Sequence, residues 1–168
     1  MLDEADHDNE PLAPLDMLEA YFTAHGWTTS RDEDELTATV KGSWTEYELR
    51  ALWREEDGVL QFLAFPDVRV TEDRRGPIYE AMGLVNEQLW IGHFELWSAS
   101  GILLYRNATV IDAADDEAAM SVRAAELLVE TALDECERFY PVFQFVLWGG
   151  KSPAEALAAA MVETQGEA

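Results

Sequence analysis

The chain has 168 residues, with 34 Asp and Glu against 11 Lys and Arg, and a net charge of −23. That length suits one domain that buries about 68–70% of the surface of its unfolded chain, and 11% aromatic residues exclude a disordered chain. The charge repels nucleic acid and anionic membranes, and a single cysteine excludes a disulfide framework or a Cys-based zinc cluster.

Residues 1–11 hold five acids and no base, which predicts a solvated, flexible tail. The opening Met1-Leu2-Asp3-Glu4 is the reverse of a basic signal peptide. The longest apolar uncharged run, Phe139 to Gly150, contains a proline and is too short to span a bilayer. A soluble, cytoplasmic protein is the expectation. A single domain is expected over 12–163, followed by a flexible C-terminus at 164–168.

Pro14 opens a predicted helix whose stripe is Leu15, Leu18, Phe22 and His25, and Gly26 is placed to end it. Trp27 to Arg31 reads as a short lead strand. Leu36, Ala38 and Val40 then alternate with polar residues. Beyond a turn at Gly42, Tyr47, Leu49, Ala51 and Trp53 do the same. Asp57-Gly58 signals a hairpin. Val59 to Phe65 is apolar on both faces apart from Gln61, which predicts a strand covered on both sides, by a helix or by a partner.

Gly76-Pro77 predicts a second helix with Pro77 at its first position, and Ile78, Ala81, Met82, Val85 and Leu89 form its stripe. Strands are expected over His93–Ala99 and Ile102–Ile111. Asp112, Asp115, Asp116 and Glu117 favour the N-terminus of a long helix. Its apolar residues run from Ala118 through Ala125, Val129, Cys136 and Phe143 to Val146, with Pro141 as an interruption or kink. Ser152-Pro153-Ala154-Glu155 is a capping box that starts a short helix through Met161. This order predicts an α+β fold with an antiparallel sheet of five or six strands.

Catalytic signals are weak. His7, His25 and His93 show no metal-ligand spacing, so no metal and no cofactor are expected. His93 and Glu95 share a strand face within reach of Tyr105 or Arg106, which makes a pocket there the alternative to a purely protein-binding role. Glu46, Glu48 and Arg50 fit a solvent face with cross-strand ion pairs. Cys136 sits on the apolar stripe among acids and is expected in the core. Gly149-Gly150-Lys151-Ser152 lacks the leading glycine and the preceding strand of a phosphate loop and is a helix cap. Of the six tryptophans, Trp44, Trp97 and Trp148 sit in weakly patterned surroundings and are the candidates for a protein interface.

From Leu84-Val85-Asn86 and Leu89 through Gly92-His93-Phe94-Glu95-Leu96, Gly101 and Tyr105-Arg106, the chain resembles the YbjN family of bacterial sensory transduction regulators. Tyr140-Pro141 and the run Trp148 to Leu157 resemble the close of an alphaproteobacterial subgroup, so the similarity covers roughly 12–163. The family motif positions are Asn86, Gly92, His93, Phe94 and Arg106, and none carries catalytic meaning. The resemblance implies an α-β-β-β-α-β-β-α fold similar to that of type III secretion chaperones. With the surplus of apolar surface, it leads to the expectation of a homodimeric, non-enzymatic regulator or chaperone-like adaptor that binds another, unidentified protein.

Overall fold

Helical and alternating periodicities partition the chain in the computed structural model, which describes residues 10–114 and 117–166. The elements are α1 (Pro14–Ala24), β1 (Thr28–Arg31), β2 (Glu35–Lys41), β3 (Glu46–Arg54), β4 (Val59–Arg69), α2 (Arg75–Asn86), β5 (His93–Trp97) and β6 (Ile102–Val110). A two-residue hairpin, β7 (Ala113–Ala114) and β8 (Glu117–Ala118), precedes α3 (Val122–Leu147) and α4 (Pro153–Gly166). The acidic segment 1–9, like Asp115, Asp116, Glu167 and Ala168, lies outside the described residues.

Strands β1 to β4 form an antiparallel meander, but β4 is followed in space by β6, leaving β5 at the edge. Alternation sorts their side chains. Leu36, Leu49, Phe62, Phe94 and Tyr105 join Phe22, Ile78, Val129, Phe139 and Ala156 from the helices in one core. Helices α1, α2 and α3 therefore pack on the same face of the sheet, and α4 packs on α2 and α3. Burying a Leu, Val or Phe side chain in this core contributes about 1.5–3 kcal/mol.

Local chemistry sets the boundaries. Gly26 and Gly58 take positive φ where α1 and the β3–β4 hairpin turn. The long helix starts later than its acids suggest. The segment after β6 forms the β7–β8 hairpin, and the cap is Ser121, whose hydroxyl accepts from the Ala124 N–H at 3.1 Å. Pro141 does not interrupt α3, which continues to Leu147. Pro77 is the third residue of α2 rather than the first, because a 3₁₀ turn at Glu72–Arg74 leads directly into Arg75. The Ser152 hydroxyl accepts from the Glu155 N–H at 3.3 Å, the Glu155 carboxylate accepts in return from the Ser152 N–H at 3.5 Å, and α4 runs on past Met161 to Gly166.

Candidate protein interface

For the second face of β4, expected to be covered by a helix or by a partner, cover by a helix is corrected. One face packs on the helices, and no described element covers the other. There, Leu63, Phe65 and Leu104 form a second buried cluster, with Leu52 and Ile102 packed against it. These residues are shielded by neighbours on the same face: the Arg50 guanidinium lies 5.2 Å from the Phe65 ring centroid, and Trp97 meets Phe65 edge-on at 5.4 Å. A cation over an aromatic face and an edge-to-face ring pair are both favourable packings for such a roof.

Cross-strand register places Thr37, Arg50, Leu63, Arg106 and His93 in one row over β2, β3, β4, β6 and β5. In the adjacent row Thr39 pairs with Glu48 and Glu48 with Phe65, while Glu95 pairs with Leu104. The same face carries Lys41, Arg54 and Arg69 as well as Arg50 and Arg106, opposed by Glu35, Glu46, Glu48 and Glu95. These strand positions hold five cations against four carboxylates, with Asp67 beside Glu46 and Glu48 and Asp57 3.4 Å from Arg54 at the margin, so the face is near neutral on a chain whose net charge is −23. Arg50 is bonded across the strands to Glu35 at 3.1 Å, the pairing that the alternation predicts, and along β3 to Glu48 at 3.4 Å.

His93 and Glu95 do share this face, with His93 Nε2 3.6 Å from Glu95 Oε2, but the third partner is Arg106, 2.6 Å from the same oxygen. Tyr105 is one residue away and therefore points to the opposite side. It is fully buried, and its hydroxyl donates to the Ile91 carbonyl at 2.7 Å. The pocket anticipated around His93, Glu95 and Tyr105 is corrected accordingly, since the sheet itself separates Tyr105 from the other two. Burial pushes the Tyr105 hydroxyl far above its ordinary range, and nearby Glu135 adds to the shift. Burial likewise drives the Cys136 thiol up, reinforced by Glu137 and Glu135. A thiol held protonated is no nucleophile, and Cys136 is a core residue.

Asn86 and Gly92 fix the loop between α2 and β5. The Asn86 amide donates to the Phe94 carbonyl at 3.1 Å and accepts from the Phe94 N–H at 2.8 Å, imitating a neighbouring strand. Gly92 has φ +73°, and a Cβ there would strike the Tyr105 ring. Between these anchors stands Trp90, 98% exposed, beside the half-exposed Ile91.

The three candidate tryptophans occupy three separate places. Trp97 lies on the uncovered sheet face. Trp44, in the β2–β3 turn, stacks on Tyr140 at 6.5 Å, and its indole N–H donates to the Glu137 carbonyl at 3.1 Å. Trp148 is exposed just past the end of α3. Sequence reasoning missed Trp90. Its position between the polar Glu87-Gln88 and Gly92, beyond the last residue of the α2 stripe, was the available signal.

Residues 14–145 match the YbjN family, described as "Putative bacterial sensory transduction regulator". The chain belongs to the YbjN family. The crystal structure of YbjN from E. coli, described as "a putative transcription regulator", has the same fold with a TM-score of 0.54 and 10% sequence identity, over 76% of this chain and 90% of that one. No curated protein matches the chain. Of the positions on which the sequence resemblance rests, Asn86, Gly92 and Phe94 hold the framework of the loop. His93 and Arg106 face outward on the uncovered sheet face. Among the described residues no group of three or more His, Cys, Asp or Glu could hold a metal ion, and no helix is long and apolar enough to cross a membrane.

Proposed function

We propose that this protein is a cytoplasmic, non-enzymatic regulator that acts by binding another protein, and that it works as a homodimer joined through the uncovered face of its sheet. The observation that carries this reading is the second apolar cluster on that face, set in the near-neutral part of an acidic chain. Two copies with a net charge of −23 repel each other over most of their surface, so a self-contact is least opposed where cations and carboxylates balance. A twofold interface is self-complementary by symmetry. An axis running across the strands between the two central rows sets Arg50 of one protomer against Glu48 of the other, and Leu63 against Phe65.

Light scattering after size exclusion should give about twice the 18.9 kDa chain mass. Arg50→Glu should yield a monomer, and the swap Arg50→Glu with Glu48→Arg should restore the dimer. A monomeric wild-type protein at tens of micromolar sinks the dimer, and capture from the native cell followed by mass spectrometry tests the protein partner separately.

A further inference from the structure

Strand β6 is longer than the strand that flanks it. β5 pairs only with Ile102 to Arg106, whereas β6 continues to Val110 with β4 alone on its other side. Over Asn107–Val110, half of the backbone N–H and C=O groups therefore point along the sheet toward no strand among the described residues. An open edge of this kind is a template for another strand. It borders a mainly apolar groove of about 280 Å³, lined by Ile91, Thr109, Ala124, Leu127 and Thr131 among others. Leu127 is 47% exposed there.

Ile91 brings its loop to the groove, and that loop holds its aromatic residue out. Asn86 clamps Phe94 from both sides, Tyr105 holds the Ile91 carbonyl, and Gly92 allows the chain to turn against the Tyr105 ring. A tryptophan displayed on an anchored loop loses little conformational freedom when it is covered, which is the property of a binding hot spot. The chain that presents the groove has a net charge of −23, and Asp112 follows β6.

The geometry points to a docking site for an extended segment of a partner protein, which adds as a strand beside Asn107–Val110. Such a segment has apolar side chains at alternate positions, filling the groove and packing on Trp90, and Lys or Arg at its ends to complement a chain with a net charge of −23. The site rests on the protein-binding reading above and gives the partner a place distinct from the uncovered sheet face.

The test uses the full chain and a displayed library of random short peptides as the probe. Enriched peptides should alternate apolar and polar residues and carry basic ends. Their binding should weaken by about tenfold or more with Trp90→Ala and with Leu127→Glu, and remain unchanged with Arg50→Glu on the sheet face. Methylating alternate backbone nitrogens of an enriched peptide should abolish binding in one register only, and amide exchange at Asn107–Val110 should slow when the unmodified peptide binds. Absence of enrichment, enrichment without alternation, or binding indifferent to Trp90 and Leu127 overturns the site. So does slowing at Asn107–Val110 with protein concentration alone, since a second copy then fills the edge. A native partner captured equally well by Trp90→Ala and Leu127→Glu proteins refutes the groove while leaving the protein-binding reading intact.

Discussion

The Trp44 indole donates to the backbone carbonyl of Glu137, the acceptor that α3 leaves without a partner because Pro141, four residues on, has no N–H. A buried proline inside a 26-residue helix is thus accommodated by a side chain from the β2–β3 turn. The Glu137 carboxylate reinforces the same junction by accepting from the Ser43 N–H at 2.8 Å. Trp44→Phe keeps an aromatic ring but removes the donor, so it should cost about 0.5–1.5 kcal/mol as the carbonyl loses its partner. Pro141→Ala restores a backbone N–H for that carbonyl. In the Pro141→Ala background Trp44→Phe should cost clearly less, which a double-mutant cycle by chemical denaturation will show. Additive effects would mean that the bond does not compensate the proline.

Asn86 provides both a donor and an acceptor to Phe94. Asn86→Asp keeps the acceptor and loses the donor, placing a carboxylate opposite a carbonyl. Both Asn86→Asp and Asn86→Ala should destabilise the fold by about 1–3 kcal/mol. Amide exchange should accelerate most at 87–94, because the start of β5 is the segment that loses its partner. A uniform acceleration over the whole sheet would contradict this local role.

Gly92→Ala combines a left-handed backbone with a methyl group driven into the Tyr105 ring. The left-handed conformation alone costs about 1–2 kcal/mol for a non-glycine residue, and the clash adds to it. Tyr105→Phe leaves the ring in place and removes the bond to Ile91, for a loss of about 1 kcal/mol. Thermal denaturation should therefore rank Gly92→Ala well below Tyr105→Phe, and the reverse order would remove the steric argument.

Asp134 and Glu135 on α3 are both held above their ordinary carboxylate values. For Asp134 the cause is burial first, then Glu130 and Glu137; for Glu135 it is burial, with Arg138 opposing and Asp134 adding. Between the ordinary and the raised value the folded state binds more protons than the unfolded chain. Stability through these groups therefore falls as pH rises across that window. The denaturation midpoint should be higher near about pH 5 than at neutrality. Asp134→Asn removes two like-charge neighbours on the helix and should stabilise the neutral protein by about 0.5 kcal/mol while flattening the pH profile. An unchanged slope in that variant would assign the pH dependence to other acids.

Ser152 and Glu155 exchange two hydrogen bonds at the start of α4. Ser152→Ala should cost about 1 kcal/mol and speed amide exchange over residues 153–161, with little change in the sheet. Ala156 and Ala160 of α4 are buried in the main core, so an equal loss of protection everywhere would show that the helix folds only as part of that core.

Local periodicity was enough to read the order of the elements and the inward face of most of them. Leu36, Ala38 and Val40 alternate, and Ala125, Val129, Ala132, Cys136 and Phe139 follow a helical stripe. All of them are buried as that pattern requires, because side-chain direction along a strand or helix is fixed by backbone geometry. The capping box at Ser152 and the turn at Gly58 were legible for the same reason: each depends on residues close together in the chain. Tertiary structure decided the rest. Whether Val59–Phe65 is covered on its second face, whether β5 lies inside the sheet or at its edge, and whether Tyr105 joins His93 and Glu95 all depend on pairing between distant segments, which no local pattern encodes. The exposure of Trp90 and the partner that Trp44 supplies for the carbonyl freed by Pro141 exist only once α2, α3 and the sheet have met.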